Sequence, residues 1–143
     1  MAKGLDTTFL VEAEVVGHPA HAESRGLLHE LIGGQEPLAL TPQVLAEFVH
    51  VVTDPRRFEH PLEIGQALTR AALWWEGSEI THVLPSAEST DLFLRWMAEH
   101  QLGRKRLLDT QLAATYYCAG IRTIVTTNAR DYTVFGCFTL IQP

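Results

Sequence analysis

Apolar residues recur along the chain with two different spacings, which predict two kinds of secondary structure. Short runs rich in apolar or β-branched residues predict five strands, at residues 3–6, 38–40, 80–84, 122–126 and 138–141. Longer segments with apolar residues three and four positions apart predict helices at about residues 7–16, 19–33, 42–54, 61–75, 87–97 and 107–119. Because strands alternate with helices, the pattern predicts a three-layer α/β fold with a mainly parallel five-stranded sheet.

Local signals support these helices. Thr41-Pro42 places a hydroxyl N-cap directly before a proline at the first helical position. The second predicted helix ends at Gly33-Gly34 and is expected to bury four apolar residues, Leu27, Leu28, Leu31 and Ile32. No repeat or linker interrupts the chain, so we expect a single domain over residues 1–143.

Composition agrees with a globular protein. Hydrophobic residues make up 46% of the 143 residues and charged residues 20%. No apolar run approaches the ~20 residues needed to cross a membrane, and the N-terminus, with Lys3 and an early Asp6, does not resemble a signal peptide. Cys118 and Cys137 form no metal-binding motif, and we interpret them as buried free thiols in a reducing compartment. These features together predict a cytoplasmic protein without a membrane span.

The net charge of −6 restricts the possible partners. Proteins that coat nucleic acid non-specifically usually carry a basic face, so the acidity counts against that class. It does not exclude a nuclease, because metal ions held in an acidic pocket can supply the positive charge that meets a phosphate.

Three acids lie at positions where they could serve as metal ligands. Asp6 follows the first strand, Glu47 interrupts the apolar stripe of the third helix, and Asp109 lies at the start of the last long helix. Only a fold could bring them together, and such a cluster is costly unless it binds a divalent cation. Each acid also has a simpler interpretation: Asp6 and Asp109 are good helix N-caps, and Glu47 could lie at the edge of its stripe.

Four segments in the order of these acids resemble the PIN domain, and within it the VapC-type ribonuclease toxins. They are Leu5-Asp6-Thr7-Thr8-Phe9-Leu10, Thr41-Pro42-Gln43-Val44-Leu45-Ala46-Glu47-Phe48, Leu108-Asp109-Thr110-Gln111-Leu112-Ala113-Ala114 and Thr126-Thr127-Asn128-Ala129-Arg130-Asp131-Tyr132. The resemblance covers nearly the whole chain. Two positions depart from it: Thr8 stands where many members have Asn, and Asn128 where many have a fourth acid.

The resemblance implies a PIN-like fold and a metal-dependent endoribonuclease. Asp6, Glu47 and Asp109, together with Asp131 or Asn128, would hold one or two Mg²⁺ or Mn²⁺ ions. Thr7 and Thr126 would orient these ligands. The resemblance also implies a small antitoxin partner and often a homodimer. The alternative is a catalytically inactive PIN-like fold that binds RNA or a protein.

The segment Arg104-Lys105-Arg106 comes just before Asp109 and is basic in an otherwise acidic chain. It is either a solvated loop or a contact for RNA phosphates. Two other enzyme classes are excluded. A response-regulator receiver needs a late lysine, but the only lysines are Lys3 and Lys105; a haloacid-dehalogenase-like phosphatase needs an acid at position 8, which is Thr8.

Overall fold

The structure is a computed structural model that describes residues 1–143. Its strands are β1 (Lys3–Leu5), β2 (Leu38–Leu40), β3 (Ile80–His82), β4 (Thr123–Val125) and β5 (Thr139–Ile141). Its helices are α1 (Thr7–Glu14), α2 (His21–Gly33), α3 (Pro42–Val52), α4 (Ile64–Glu76), α5 (Ala87–Glu99), α6 (Leu107–Cys118) and α7 (Arg130–Thr133). A single 3₁₀ turn, Arg104–Arg106, leads into α6.

The five strands form one sheet in the order β3-β2-β1-β4-β5, and every pairing is parallel. The chain first runs from β1 outward to β3, then returns to β4 on the other side of β1 and continues to β5. With right-handed crossovers, this reversal puts α1–α4 on one face and α5–α7 on the other. The predicted α/β fold with a five-stranded parallel sheet is confirmed.

The reversal also decides where a ligand site can form. In open α/β sheets, a crevice opens at the carboxyl ends of the two strands between which the strand order reverses. Here those strands are β1 and β4, which are followed directly by Asp6 and Thr126. The Asp6 amide donates to the Val125 carbonyl at 3.0 Å, so the two strand ends stay in contact at the crevice.

The core is one contiguous apolar cluster centred on β1, β2 and β4. Gly4 of β1 is required there, because a Cβ at that position would lie 2.7 Å from the ring of Tyr116. The Tyr116 hydroxyl donates to the carbonyls of Leu5 at 2.6 Å and Ala39 at 3.1 Å. This buried side chain of α6 therefore ties the first two strands together.

Several predicted boundaries shift. Helix α1 ends at Glu14 and leaves Val16 79% exposed, because Val15 is already extended. Helix α4 begins at Ile64 rather than at 61, where Glu63 and Gln66 form a capping box. Ile32, expected to be buried, is 43% exposed near the end of α2.

The connection between β4 and β5 contains the short helix α7, and the basic segment before α6 forms the 3₁₀ turn. Both cysteines are free and half-buried. None of the helices is both long enough and apolar enough to cross a lipid bilayer.

Candidate metal centre

Asp6 lies at the centre of the crevice and is 5% exposed. Its Oδ1 accepts a hydrogen bond from the Thr7 amide at 2.7 Å, which makes it the N-cap of α1. Its Oδ2 accepts from the Thr126 hydroxyl at 2.7 Å. Burial raises the pKa of this carboxyl, and the hydrogen bonds from Thr126 and Thr7 oppose that rise. The interpretation of Asp6 as a helix cap is therefore correct, and the same residue also lies in the crevice.

Glu47 reaches the crevice from α3 and is half-buried. Its Oε1 accepts from the Gln43 amide at 2.8 Å, and the same amide group donates to the Leu108 carbonyl at 2.9 Å. Burial raises the pKa of Glu47, and the negative charge of Asp6 adds to the rise. Gln43 thus links Glu47 to the start of α6, where Asp109 lies.

Asp109 lies in the first turn of α6, and Arg106 rather than Asp109 occupies the N-cap position. The interpretation of Asp109 as a helix cap is therefore wrong. Its pKa is raised from 3.8 to about 7, first by burial and then by the charges of Asp6, Asp131 and Glu47. Four carboxyl groups from four separate segments therefore act on one another electrostatically.

Asp131 and Asn128, the alternatives for a fourth ligand, differ in their surroundings. Asp131 lies on α7, half-buried, where its charge raises the pKa of Asp109. Asn128 is exposed, and its backbone amide donates to the Thr126 hydroxyl at 2.9 Å. Both line an open groove of ≈ 530 Å³ beside the crevice.

The three basic residues before Asp109 do not face the same way. Arg104 and Lys105 are exposed, whereas Arg106 is turned inward toward Asp131. Its Nε lies 3.9 Å from Asp131 Oδ1, and its Nη2 donates to the Asp131 main-chain carbonyl. One of the four acids, Asp131, therefore has a cationic partner within the protein.

Two buried hydroxyls beside the acids make no hydrogen bond. They belong to Thr7, which lies close enough to Glu47 to lower its pKa, and to Tyr132, which acts in the same way on Asp6. Buried polar atoms are nearly always paired, so such orphans indicate that a partner belongs there. The carboxylate and hydroxyl oxygens around them are the hard donors that Mg²⁺ and Mn²⁺ prefer.

The chemical type of these donor atoms therefore suits a divalent metal, although the side chains are not grouped closely enough to share one ion. No three His, Cys, Asp or Glu side chains are grouped so that they could hold a metal ion as they stand. Burial, and then the charges of Asp6, Asp131 and Glu47, raise the pKa of Asp109, and a divalent cation would offset those charges.

Sequence reasoning missed three features of this centre. They are the Gln43 bridge to Glu47, the pairing of Arg106 with Asp131, and the unpartnered hydroxyl of Tyr132. Gln43 lies four residues before Glu47, a helical spacing that could have indicated the contact. The Arg106–Asp131 pair and the position of the Tyr132 hydroxyl depend on how α7 packs, and no local sequence pattern predicts them.

Comparison with known proteins identifies the family. Ribonuclease VapC43 of Mycobacterium tuberculosis (strain ATCC 25618 / H37Rv) is 35% identical to the chain over 99 residues, which are 68% of this chain. The match spans 63% of the length of that relative. Among solved structures, M. tuberculosis VapC20, named as a Sarcin-Ricin loop cleaving toxin, aligns with a TM-score of 0.66 and 18% identity over 87% of each chain.

A second solved structure is VapBC2 of Rickettsia felis bound to a DNA fragment from its promoter. It aligns with a TM-score of 0.69 and 18% identity, over 100% of this chain and 99% of that chain. At such identities the two likenesses bear on the fold. The sequence itself is matched from residue 4 to residue 134 by the model of the PIN domain. With more than nine tenths of its length matched in this way, the chain belongs to the PIN domain family.

Proposed function

We propose that this protein is an endoribonuclease that hydrolyses RNA phosphodiester bonds with one or two Mg²⁺ or Mn²⁺ ions, and that it is the toxin of a toxin–antitoxin pair. The observation that carries the proposal is that Asp6, Glu47 and Asp131 approach Asp109 at the β1–β4 crevice, where burial first and the charges of these acids second raise the pKa of Asp109 to about 7. The 35% identity to a VapC ribonuclease supports the same activity.

Asp6, Glu47, Asp109 and Asp131 would hold the metal. A bound divalent ion lowers the pKa of a water molecule and stabilises negative charge on the phosphate. Asp131 is the better fourth ligand, because its charge raises the pKa of Asp109, whereas Asn128 is exposed. Asn128 then stands at the groove side, where its amide can orient water or RNA.

The surrounding residues fix the acids in place. The Thr7 amide and the Thr126 hydroxyl each hold one oxygen of Asp6. Gln43 holds Glu47, and Arg106 lies against Asp131. Because three of the four acids have a separate anchor, these carboxylates stay near one another despite their repulsion.

Open grooves flank the crevice on two sides and offer a path for RNA. One, of ≈ 530 Å³, is lined by residues that include Asn128, Arg130 and Asp131. The other, of ≈ 490 Å³, begins at Thr7 and Thr8 and extends to the loop after α3. We propose that an RNA strand passes across the acids between these grooves. Exposed Arg104 and Lys105 at the start of α6 would contact its phosphates.

We also propose a small antitoxin protein as the partner that controls this activity, and a homodimer as the assembled toxin. The support for the antitoxin is the likeness to VapBC2 of R. felis and to the toxin–antitoxin complex from Klebsiella pneumoniae. The feature shared with both is the fold.

One observation favours a second candidate, a PIN-like fold that binds RNA or a protein without cleaving. It is the open arrangement of the acids, in which no three side chains could yet hold an ion. The two candidates differ in what happens when metal is supplied: only the nuclease converts bound RNA into shorter products.

The test uses purified protein and defined structured RNA with Mn²⁺ or Mg²⁺. We expect cleavage that stops in EDTA and resumes when metal is restored in excess. Asp6→Asn serves as the matched inactive control and exposes any contaminating nuclease. RNA that is bound but stays intact at saturating Mn²⁺ would favour the second candidate, and undiminished cleavage in EDTA would contradict metal dependence.

A further inference from the structure

Two tyrosines are completely buried, and their hydroxyls differ in one respect. The rings of Tyr116 and Tyr132 are both 0% exposed. The Tyr116 hydroxyl donates to two backbone carbonyls, whereas the Tyr132 hydroxyl has no hydrogen-bond partner. A buried hydroxyl without a partner is unfavourable, and a phenylalanine at the same position would avoid the cost. Packing alone therefore does not account for a hydroxyl group on the ring of Tyr132.

The position of this hydroxyl suggests the explanation. Tyr132 lies on α7, where its amide donates to the Ala129 carbonyl at 3.0 Å. The ring joins the central apolar cluster. Its hydroxyl faces Asp6 closely enough to lower the pKa of that carboxyl, but not at the geometry of a hydrogen bond.

Asp6 has room for this donor. An ionised carboxylate offers about four acceptor sites. Two are used at short distance, by the Thr7 amide on Oδ1 and the Thr126 hydroxyl on Oδ2, and the Thr8 hydroxyl adds a weak contact at 3.4 Å. Those donors come from α1 and from the end of β4. A donor on α7 would hold the carboxylate from a third direction.

We propose that the Tyr132 hydroxyl is a positioning group for Asp6, donating to its carboxylate when that carboxylate is engaged by a divalent cation. The inference rests on the proposed function, because it assigns Tyr132 a role at the same metal centre. It also explains why the hydroxyl lacks a partner in the open arrangement of the acids. Groups that orient metal ligands in this way typically change metal affinity about 10–100-fold when removed.

The experiment compares two matched variants that each remove one oxygen from a fully buried ring, Tyr132→Phe and Tyr116→Phe. Mn²⁺ affinity of the metal-stripped proteins is measured by isothermal titration, and the melting temperature is measured in EDTA. We expect Tyr132→Phe to raise the Kd for Mn²⁺ about tenfold and to leave the melting temperature unchanged or higher. Tyr116→Phe should lower the melting temperature by several degrees, because two hydrogen bonds are lost, and should leave the Kd unchanged.

A second comparison asks whether Tyr132 acts through Asp6. In an Asp6→Asn background, adding Tyr132→Phe should leave the remaining Mn²⁺ affinity unchanged within about twofold, since the acceptor of the hydroxyl is no longer a carboxylate. A further tenfold loss in that background would show that Tyr132 acts independently of Asp6 and would overturn the inference.

The outcomes separate the inference from the proposed function. Wild-type affinity in Tyr132→Phe would mean that the hydroxyl only fills space. A loss of melting temperature in EDTA as large as that of Tyr116→Phe would mean that it is a structural hydrogen bond; either result overturns the inference and leaves the nuclease proposal standing. Absence of Mn²⁺ binding by the folded wild-type protein would overturn the proposed metal centre and the inference with it.

Discussion

Arg106 pairs with Asp131: its Nε lies 3.9 Å from Asp131 Oδ1, and its Nη2 donates to the main-chain carbonyl of the same residue. The pair joins the start of α6 to α7, 25 residues later. Arg106 is only partly exposed, whereas its neighbours Arg104 and Lys105 are open to solvent. A segment that is uniformly basic in sequence therefore divides into an internal anchor and two surface cations.

This division predicts different effects on RNA binding. Replacing Arg104 and Lys105 by Ala should weaken binding and reduce the slope of log K against log salt by about 1.4, since each phosphate contact to a single strand contributes about 0.7. Arg106→Ala should leave the slope unchanged. The measurement is fluorescence anisotropy at several salt concentrations with an inactive Asp6→Asn background, which keeps the RNA intact. A slope reduced by Arg106→Ala alone would assign that residue to the RNA surface after all.

Asp6→Asn should abolish cleavage and leave the metal-free protein as stable as the wild type or more so. The amide oxygen can still accept from the Thr7 amide, so the cap of α1 survives, while the loss of a buried charge relieves the repulsion with Glu47 and Asp109. Cleavage assays and thermal melts in EDTA measure the two effects. Asp54→Asn, an acid that pairs with Arg57 outside the centre, is the control and should retain activity. Activity in Asp6→Asn would support the non-catalytic candidate.

The fourth ligand can be tested by three variants. If Asp131 completes the centre, Asp131→Asn should cost more activity and Mn²⁺ affinity than Asn128→Ala, because a neutral amide is a poorer ligand for a hard cation. Asn128→Asp should be tolerated or should tighten Mn²⁺ binding, since it adds a carboxylate at the groove edge. Mn²⁺ titration of all three decides the assignment. If Asp131→Asn keeps wild-type activity while Asn128→Ala is inactive, Asn128 is the fourth ligand.

Stability without metal should depend on pH through Asp109. Its pKa is raised from 3.8 to about 7 in the folded protein, so between these values the folded state binds more protons than the unfolded state. Stability in EDTA should therefore fall as pH rises from about 4 to about 7 and then level off. Asp109→Asn should flatten this slope but not remove it, because burial also raises the pKa values of Asp6 and Glu47. Melting temperatures at four pH values between 5 and 8 measure the effect; equal slopes in variant and wild type would contradict it.

Gly4→Ala should destabilise the protein by about 1–3 kcal/mol, the usual cost of overpacking a core. The added Cβ would lie 2.7 Å from the Tyr116 ring, and moving that ring breaks its bonds to β1 and β2. Gly65→Ala is the matched control, because nothing lies within 4 Å of its Cβ in α4, and it should be neutral or stabilising. Chemical denaturation gives both values, and a neutral Gly4→Ala would mean that the Tyr116 ring is free to move.

Local patterns in the chain were enough to predict the longer helices, the strands and the order of the acids. Helix α3 was predictable at its start because Thr41-Pro42 is a local signal, and the Thr41 hydroxyl does accept from the Val44 amide. The strands were predictable because apolar runs separated by helices have few alternatives to a buried parallel sheet. The acids could be named in advance because of the family resemblance; periodicity alone offered a helix cap or a stripe edge for each.

The contacts between these elements depend on how the chain packs and could not be predicted from local patterns. Thr126 and Asp6 are 120 residues apart, and their hydrogen bond exists because β1 and β4 become neighbours at the reversal of the strand order. The same packing brings α7 beside α6, so that Arg106 meets Asp131 and the Tyr132 hydroxyl faces Asp6 without a partner. Such contacts depend on distances between segments that no local spacing encodes, since burial and charge act through space and not along the chain.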